Sequence, residues 1–193
     1  MPDNSIRSDN RTVPSNDHDP VRLEKIVSGG QTGVDRAALD AARALGIETG
    51  GWCPRGRRAE DGRIPEQYPL QETDGRSYAI RTEWNVRDSD GTLIIALDEI
   101  SSGTRLTIEA AKSLGKPLKV AHLRPGSDTR QLLTDSLTPS QQIDDITRWV
   151  RKHQIRVLNV AGPRGSSSPL MYPEAFEFLT LLLKRMPADV LPA

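Results

Sequence analysis

The run Thr92-Leu-Ile-Ile-Ala-Leu97 places five apolar residues in succession. A strand with one face in water alternates polar and apolar residues; an unbroken apolar run is the pattern of a parallel strand covered on both faces. Further strand signals occur at Leu23–Val27, Leu118–Leu123 and Ile155–Ala161. Segments of helical period lie between them. Val34, Ala37, Ala38, Ala41, Ala42 and Leu45 recur at helical spacing, and Gly46 supplies a stop. Ile108, Ala110, Ala111 and Leu114 form a second such face, closed by Gly115-Lys116-Pro117. A third helix is expected from Ser140 to His153 and a last one from Pro173 to Arg185. Strands separated by amphipathic helices require right-handed crossovers. The expected fold is therefore α/β: Rossmann-like, doubly wound, with a mainly parallel sheet and helices on both faces.

Residues 1–20 are dominated by Asp, Asn, Ser, Arg and Pro, with almost nothing to bury, and are expected to form a disordered tail. Residues 21–186 are expected to form a single Rossmann-like ligand-binding domain, followed by a C-terminal tail at 187–193. Gly50 to Ser77 shows no clean period and is rich in Gly, Pro and Arg, which suggests an ordered loop lying across one end of the sheet.

Lysine plus arginine and aspartate plus glutamate are both 26, so no net field favours nucleic acid or an anionic membrane as a partner. Any anion must be recognised locally. Cys53 is the single cysteine, which excludes an intramolecular disulfide framework and fits a reducing, cytoplasmic setting. No apolar run approaches the roughly 18 to 20 residues needed to cross a bilayer. His18, His122 and His153 lack metal-ligand spacing, and no zinc site is expected. A G-x-S-x-G nucleophile elbow and a Ser-His-Asp set are likewise missing.

The sharpest local feature is Ser28-Gly29-Gly30-Gln31-Thr32-Gly33, set between a strand and a helix. Glycines let backbone amides approach an anion, and the helix N-terminus adds partial positive charge. Thr32 with Asp35 reads as a capping arrangement. The spacing matches neither G-x-G-x-x-G nor the P-loop, and a ligand-free tight turn is the alternative. A second turn, Ser101-Ser102-Gly103-Thr104, opens the next helix, so two helix N-termini can converge on one crevice; a plain cap at Thr104 is the alternative. Residues 81, 84, 85 and 88 share one face if Arg81–Asp90 is helical. Arg81 can then clamp a phosphate or sit in a surface salt bridge. Arg87 is a possible companion, and Asp90 either caps a strand start or orients an arginine. In Gly51-Trp-Cys-Pro-Arg-Gly56, Trp52 is a surface on which a planar ring can stack, or a packing residue. Gly162–Ser168, after the last strand, either closes the same pocket or is a polar turn.

These stretches resemble the proposed molybdenum carrier family, the circularly permuted YpsA-type members of the SLOG superfamily of Rossmann-like proteins. The resemblance is carried by Ile26–Asp40, Gly51–Gly56, Ala59–Gly62 with Ile64-Pro65, Arg81–Val86 with Ser89-Asp90, Ser102–Thr104 and Leu158–Arg164. It implies a homo-oligomer that binds a small phosphorylated ligand, with the molybdenum cofactor (molybdopterin) or molybdate as the cargo. A molybdopterin offers a phosphate to a glycine turn and a flat pterin to a stacking surface; molybdate is itself an oxyanion. Ser28, Gly29, Gly30, Gln31, Thr32, Gly33, Arg81, Ser102, Gly103 and Thr104 are the candidate ligand contacts.

The same superfamily contains cytokinin-activating phosphoribohydrolases, formerly called lysine decarboxylase-like, which release the base from nucleoside 5′-monophosphates. Their pattern places an arginine nine residues before an aspartate, ahead of a P-G-G-x-G-T-x-x-E turn, as Arg81 stands before Asp90 here. This chain departs from it with Ser101-Ser102 in place of paired glycines and Thr107 in place of the acid. The nearby carboxylate is Glu109, rotated about 200° around a helix axis by the two-residue offset. Arg81, Asp35 and Glu109 are the candidate catalytic residues for hydrolysis, which stands behind the carrier function. A nucleotide-ligand sensor is the third alternative.

Overall fold

In the computed structural model of the protein, residues 22–97, 101–123 and 137–186 are described. Both expected tails lie outside them.

The main sheet has five strands: β1 (Lys25–Val27), β2 (Glu48–Gly50), β7 (Gly91–Ala96), β8 (Leu118–His122) and β9 (Val157–Ala161). Their spatial order is β2-β1-β9-β7-β8, and every pairing is parallel. All six residues of β7 are buried, as its unbroken apolar run requires. The helices are α1 (Val34–Ala44), α2 (Tyr78–Arg87), α3 (Ser102–Ser113), α4 (Pro139–Lys152) and α5 (Met171–Arg185). The fold is the expected Rossmann-like α/β class.

The two faces of the sheet are filled differently. Leu93 and Ile95 of β7 and Leu158 and Val160 of β9 point into the larger core, against α1, α4 and α5. The alanines of α1 let it pack closely on α5. Ile94, Ala96 and Ala161 point the opposite way, toward Ile108 of α3 and Leu118 and Val120 of β8. This is the strand period of two written in side chains.

Caps set the helix starts, and two differ from expectation. Thr138 and Gln141 form a reciprocal capping box ahead of Pro139 in α4. Ser101, and not Thr104, caps α3 by accepting the Thr104 amide at 3.3 Å. The N-cap of α1 is Gly33, with no side-chain cap. The expected Thr32–Asp35 cap does not form because both side chains are engaged by other segments. Helix α5 begins at Met171, two residues before Pro173, and a proline in the first turn costs no internal hydrogen bond.

The Gly50–Ser77 segment is ordered and contains two small pairings. β3 (Trp52–Cys53) lies parallel to β6 (Gln71–Glu72), and β4 (Arg58–Ala59) forms a hairpin with β5 (Gly62–Arg63). Arg57 is the organiser. Its buried guanidinium donates to the carbonyls of Ile64, Pro65, Tyr68 and Leu70 at 2.8–3.1 Å. One side chain thus satisfies main-chain acceptors that the short strands cannot pair.

Candidate functional site

Because the sheet is parallel, the carboxyl ends of its strands meet at one edge. β1 runs into Ser28–Gly33, β9 into Gly162–Gly165, and β7 leads toward Ser101–Thr104. From β1 the chain passes through α1 to β2 on one side; from β7 it passes through α3 to β8 on the other. β9 lies between the two departures. Open α/β sheets bind ligands at such a switch point. The turns after β1 and β7 stand two strand spacings apart, roughly 10 Å.

The turn after β1 is packed on every side. A side chain at Gly29 would overlap the Arg81 guanidinium, and one at Gly30 would overlap Leu70. Gly33 has φ 77°, and a Cβ there would lie 2.5 Å from the Pro163 carbonyl oxygen. Ser28 is fully buried; its hydroxyl donates to the Val160 carbonyl at 2.7 Å and its amide to that of Gly50 at 3.1 Å. These contacts tie β1 to β9 and β2. Among the described residues, nothing accepts a hydrogen bond from the amides of Gly29, Gly30 or Gly33.

The hairpin β4–β5 straps the same turn. Gln31 Oε1 accepts from the Thr32 and Glu60 amides at 3.1 and 2.9 Å. Glu60 takes the Thr32 hydroxyl and, from the far side, the amide and hydroxyl of Ser166. Arg36 donates to the Gly30 carbonyl and grips Asp61 with two bonds of 2.6 and 2.8 Å. Hydrogen bonds from Ser166 and Thr32 hold the Glu60 carboxyl below its usual range against a burial effect that would raise it.

Helix α2 delivers Arg81. Asn85, one turn on, is buried and pairs with the Trp52 backbone, accepting its amide at 2.8 Å and donating to its carbonyl at 2.9 Å. That contact fixes the helix against β3 and lays the Arg81 guanidinium on Gly29. Arg81 Nη1 donates to Asp35 Oδ2 at 3.3 Å, in a pair whose side chains are 14% and 3% exposed. The pair is thus buried and is not a surface salt bridge. Arg81 Nε is the buried side-chain polar atom that lacks a hydrogen-bond partner among the described residues. Burial pushes the Asp35 carboxyl above its ordinary value, while Arg81 and the Gln31 amide, donating at 3.2 Å, pull it back in part.

The expected face of α2 forms, with residues 81, 84, 85 and 88 all turned toward the turn and β3. It also engages Trp52. The Trp52 indole meets the Trp84 ring edge to face at 4.7 Å and donates to Asp88 at 2.7 Å. Arg87 lies over the Trp84 ring at 4.8 Å and pairs with Asp88. The half-buried Trp52 ring is thus engaged toward the C-terminal end of α2, away from Arg81. Asp90 sits at the opposite edge of the sheet, where it accepts the Arg156 and Val157 amides at 2.9 and 2.8 Å and caps the start of β9. Glu109 is exposed on α3, two turns from its N-terminus.

The turn after β7 is open. Ser102 and Gly103 are exposed, and a Cβ at Gly103 would meet nothing within 4 Å. Neither α2 nor α3 carries an acidic residue in its first turn. Their positive ends therefore face the edge without a carboxylate of their own. Asn85, Glu60 and Arg36 are the site-building residues that the motifs alone do not single out; the spacing of four between Arg81 and Asn85 was the available signal for the first.

A parallel sheet wound in opposite directions from a central strand, with its loops gathered at the switch point, defines a Rossmann-like α/β protein. The chain belongs to the circularly permuted YpsA family of the SLOG group, whose model matches residues 26–183. It is similar to a crystal structure of a proposed molybdenum carrier protein from Syntrophus aciditrophicus SB, with 43% sequence identity, a TM-score of 0.74, and coverage of 85% of this chain and 96% of that one. Among curated proteins nothing matches. No helix of the described residues is long and apolar enough to cross a membrane.

Proposed function

We propose that this protein is a carrier that binds a small ligand through an oxyanion or phosphate group at the carboxyl edge of the sheet, as the family relationship to a proposed molybdenum carrier suggests. The ligand is a phosphorylated pterin or nucleotide-like molecule, with the molybdenum cofactor or molybdate as the favoured cargo. Ser28–Gly33 and Ser102–Thr104 form the cradle and Arg81 supplies the charge. The observation that carries this is Arg81: a guanidinium laid on a glycine turn, with a buried Nε donor that no group among the described residues satisfies. An unmade hydrogen bond of this kind costs about 1–3 kcal/mol, which a ligand oxygen would recover. The donor set fits an oxyanion. Among the described residues, no three His, Cys, Asp or Glu side chains converge to hold a metal ion directly, so metal would arrive within its own oxyanion or pterin ligand.

The carrier would work in the cytoplasm as a homo-oligomer. Tyr78 and Ile80 on α2, and Leu106 and Leu114 on and just after α3, are exposed apolar side chains that a second copy would cover.

The test is equilibrium binding of molybdate, purified molybdopterin and a panel of nucleoside 5′-monophosphates to the wild type and to Arg81→Ala. Binding that weakens by about tenfold or more in the variant supports the site, as expected for a charged hydrogen bond of ~1.5–3 kcal/mol. A wild type that binds none of them sinks it. Asp35, buried beside Arg81 with its carboxyl pushed upward, keeps hydrolysis as a second reading, since a raised carboxyl can protonate a departing base. Release of free base from a nucleoside monophosphate, lost in Arg81→Ala, would promote it over the carrier.

A further inference from the structure

The Asp35 carboxylate occupies donors that a ligand anion would claim. Its Oδ2 accepts from the Gln31 amide at 3.2 Å and from Arg81 Nη1 at 3.3 Å. One is a main-chain donor of the glycine turn; the other belongs to the guanidinium that lies on that turn. Both contacts are at the long end of the hydrogen-bond range. A carboxylate with a 3% exposed side chain is therefore held by two long bonds, with the Ser28 hydroxyl nearby also favouring its charged form.

We propose that Asp35 takes up one proton when an anion binds at the glycine turn, which makes the site selective for a dianionic head group. This rests on the anion site proposed above. An anion that draws Arg81 toward itself removes the counter-charge of Asp35 and brings a second negative group close by. Two neighbouring anions in a poorly solvated place do not both stay ionised. A proton from solvent joins an Asp35 carboxyl oxygen, no other bond is made or broken, and the neutral acid gains an O–H donor that a ligand oxygen can accept. The pocket changes from a neutral Asp–Arg pair to a net positive one, which favours a dianion over a monoanion.

The charged and titratable groups around Asp35 are consistent with this. From α2 the facing charge is Arg81. On its own helix, Arg36 is turned away to Asp61 and the Gly30 carbonyl. From β3 comes Cys53, a buried thiol whose titration burial pushes up. From the β4–β5 hairpin, Asp61 is held by Arg36, and Glu60 is held by Thr32 and Ser166. Burial already holds the Asp35 carboxyl above its ordinary value with Arg81 in place.

Calorimetry decides it, with molybdate and adenosine 5′-monophosphate as probes at pH 8, in buffers of different ionisation enthalpy. The wild type is expected to take up a proton on binding the anion, up to about one per site, so affinity falls as pH rises, by about tenfold per pH unit where uptake is complete. In Asp35→Asn the uptake disappears and affinity becomes flat with pH. Binding without proton uptake, or uptake that persists in the variant, overturns this proposal and leaves the anion site standing. If neither probe binds, the site itself fails and the proposal with it. Should Asp35→Asn not fold, Asp35→Ser takes its place, and the wild-type buffer series alone still decides whether a proton is taken up.

Discussion

The turns after β1 and β7 look alike in sequence, each a serine and glycine stretch ahead of a helix, yet they are opposite in build. In Ser28–Gly33 each glycine has a neighbour where its side chain would be, and Gln31, Thr32 and the following Asp35 are bonded to other segments. At Ser101–Thr104 the glycine faces open space, and the polar side chains bond within their own turn. Glycine is required in the first by close packing and positive φ. In the second it leaves a helix N-terminus uncovered. The contrast separates a closely packed turn, built by three strands and a strap, from an accessible one.

Four substitutions test that contrast. The largest effect is expected at Arg57→Met, which leaves four carbonyls of the strap without their donor; chemical denaturation should show a loss of about 3–5 kcal/mol, as for a broken buried charge network. A loss under about 1 kcal/mol would mean that the strap is not part of the cooperative unit. Gly33→Ala combines a strained backbone with overlap against Pro163, and the unfolding midpoint should fall by about 2–4 kcal/mol equivalent. Gly103→Ala should move the other way, raising stability by about 0.4–1 kcal/mol through lower chain entropy in the unfolded state; destabilisation there would show that the second turn is as crowded as the first. The smallest effect is a pH dependence of Asp35→Asn. Because burial raises the Asp35 carboxyl above its ordinary range in the folded protein, ionising the wild type costs stability as pH rises from that range through the folded pKa. Thermal melts of both proteins as pH rises from the ordinary carboxylate range should show the asparagine variant gaining on the wild type, with the gain levelling off once Asp35 is ionised in the folded state. A variant that instead loses ground would show that the Arg81 pair outweighs the burial of Asp35.

Much of the fold was legible because its signals are local. The Thr92–Leu97 run announced a strand buried on both faces, and the alanine stripe of α1 announced a helix packed at close range. The Arg81–Asp88 face was legible too, since helical spacing is a property of neighbours in the chain. The end of that face in Trp52 was not, because the ring could equally have met a ligand or another tryptophan. The Thr32–Asp35 cap failed for a related reason. Capping motifs assume that the side chains have no better partner, whereas Glu60 and Arg81 reach them from 28 and 46 residues away.

From its residues alone, this protein was committed to a parallel α/β sheet and to two glycine turns at strand ends, because hydrophobic period and glycine placement act over a few residues. Tertiary structure alone decided that β9, the last of the described strands, lies between β1 and β7 and sets their turns on either side of it at one edge of the sheet. It alone decided that Arg81 rests on Gly29 beside a buried Asp35. Both depend on which distant surfaces exclude water together. That is settled by the collective packing of the core, which no local stretch of sequence encodes.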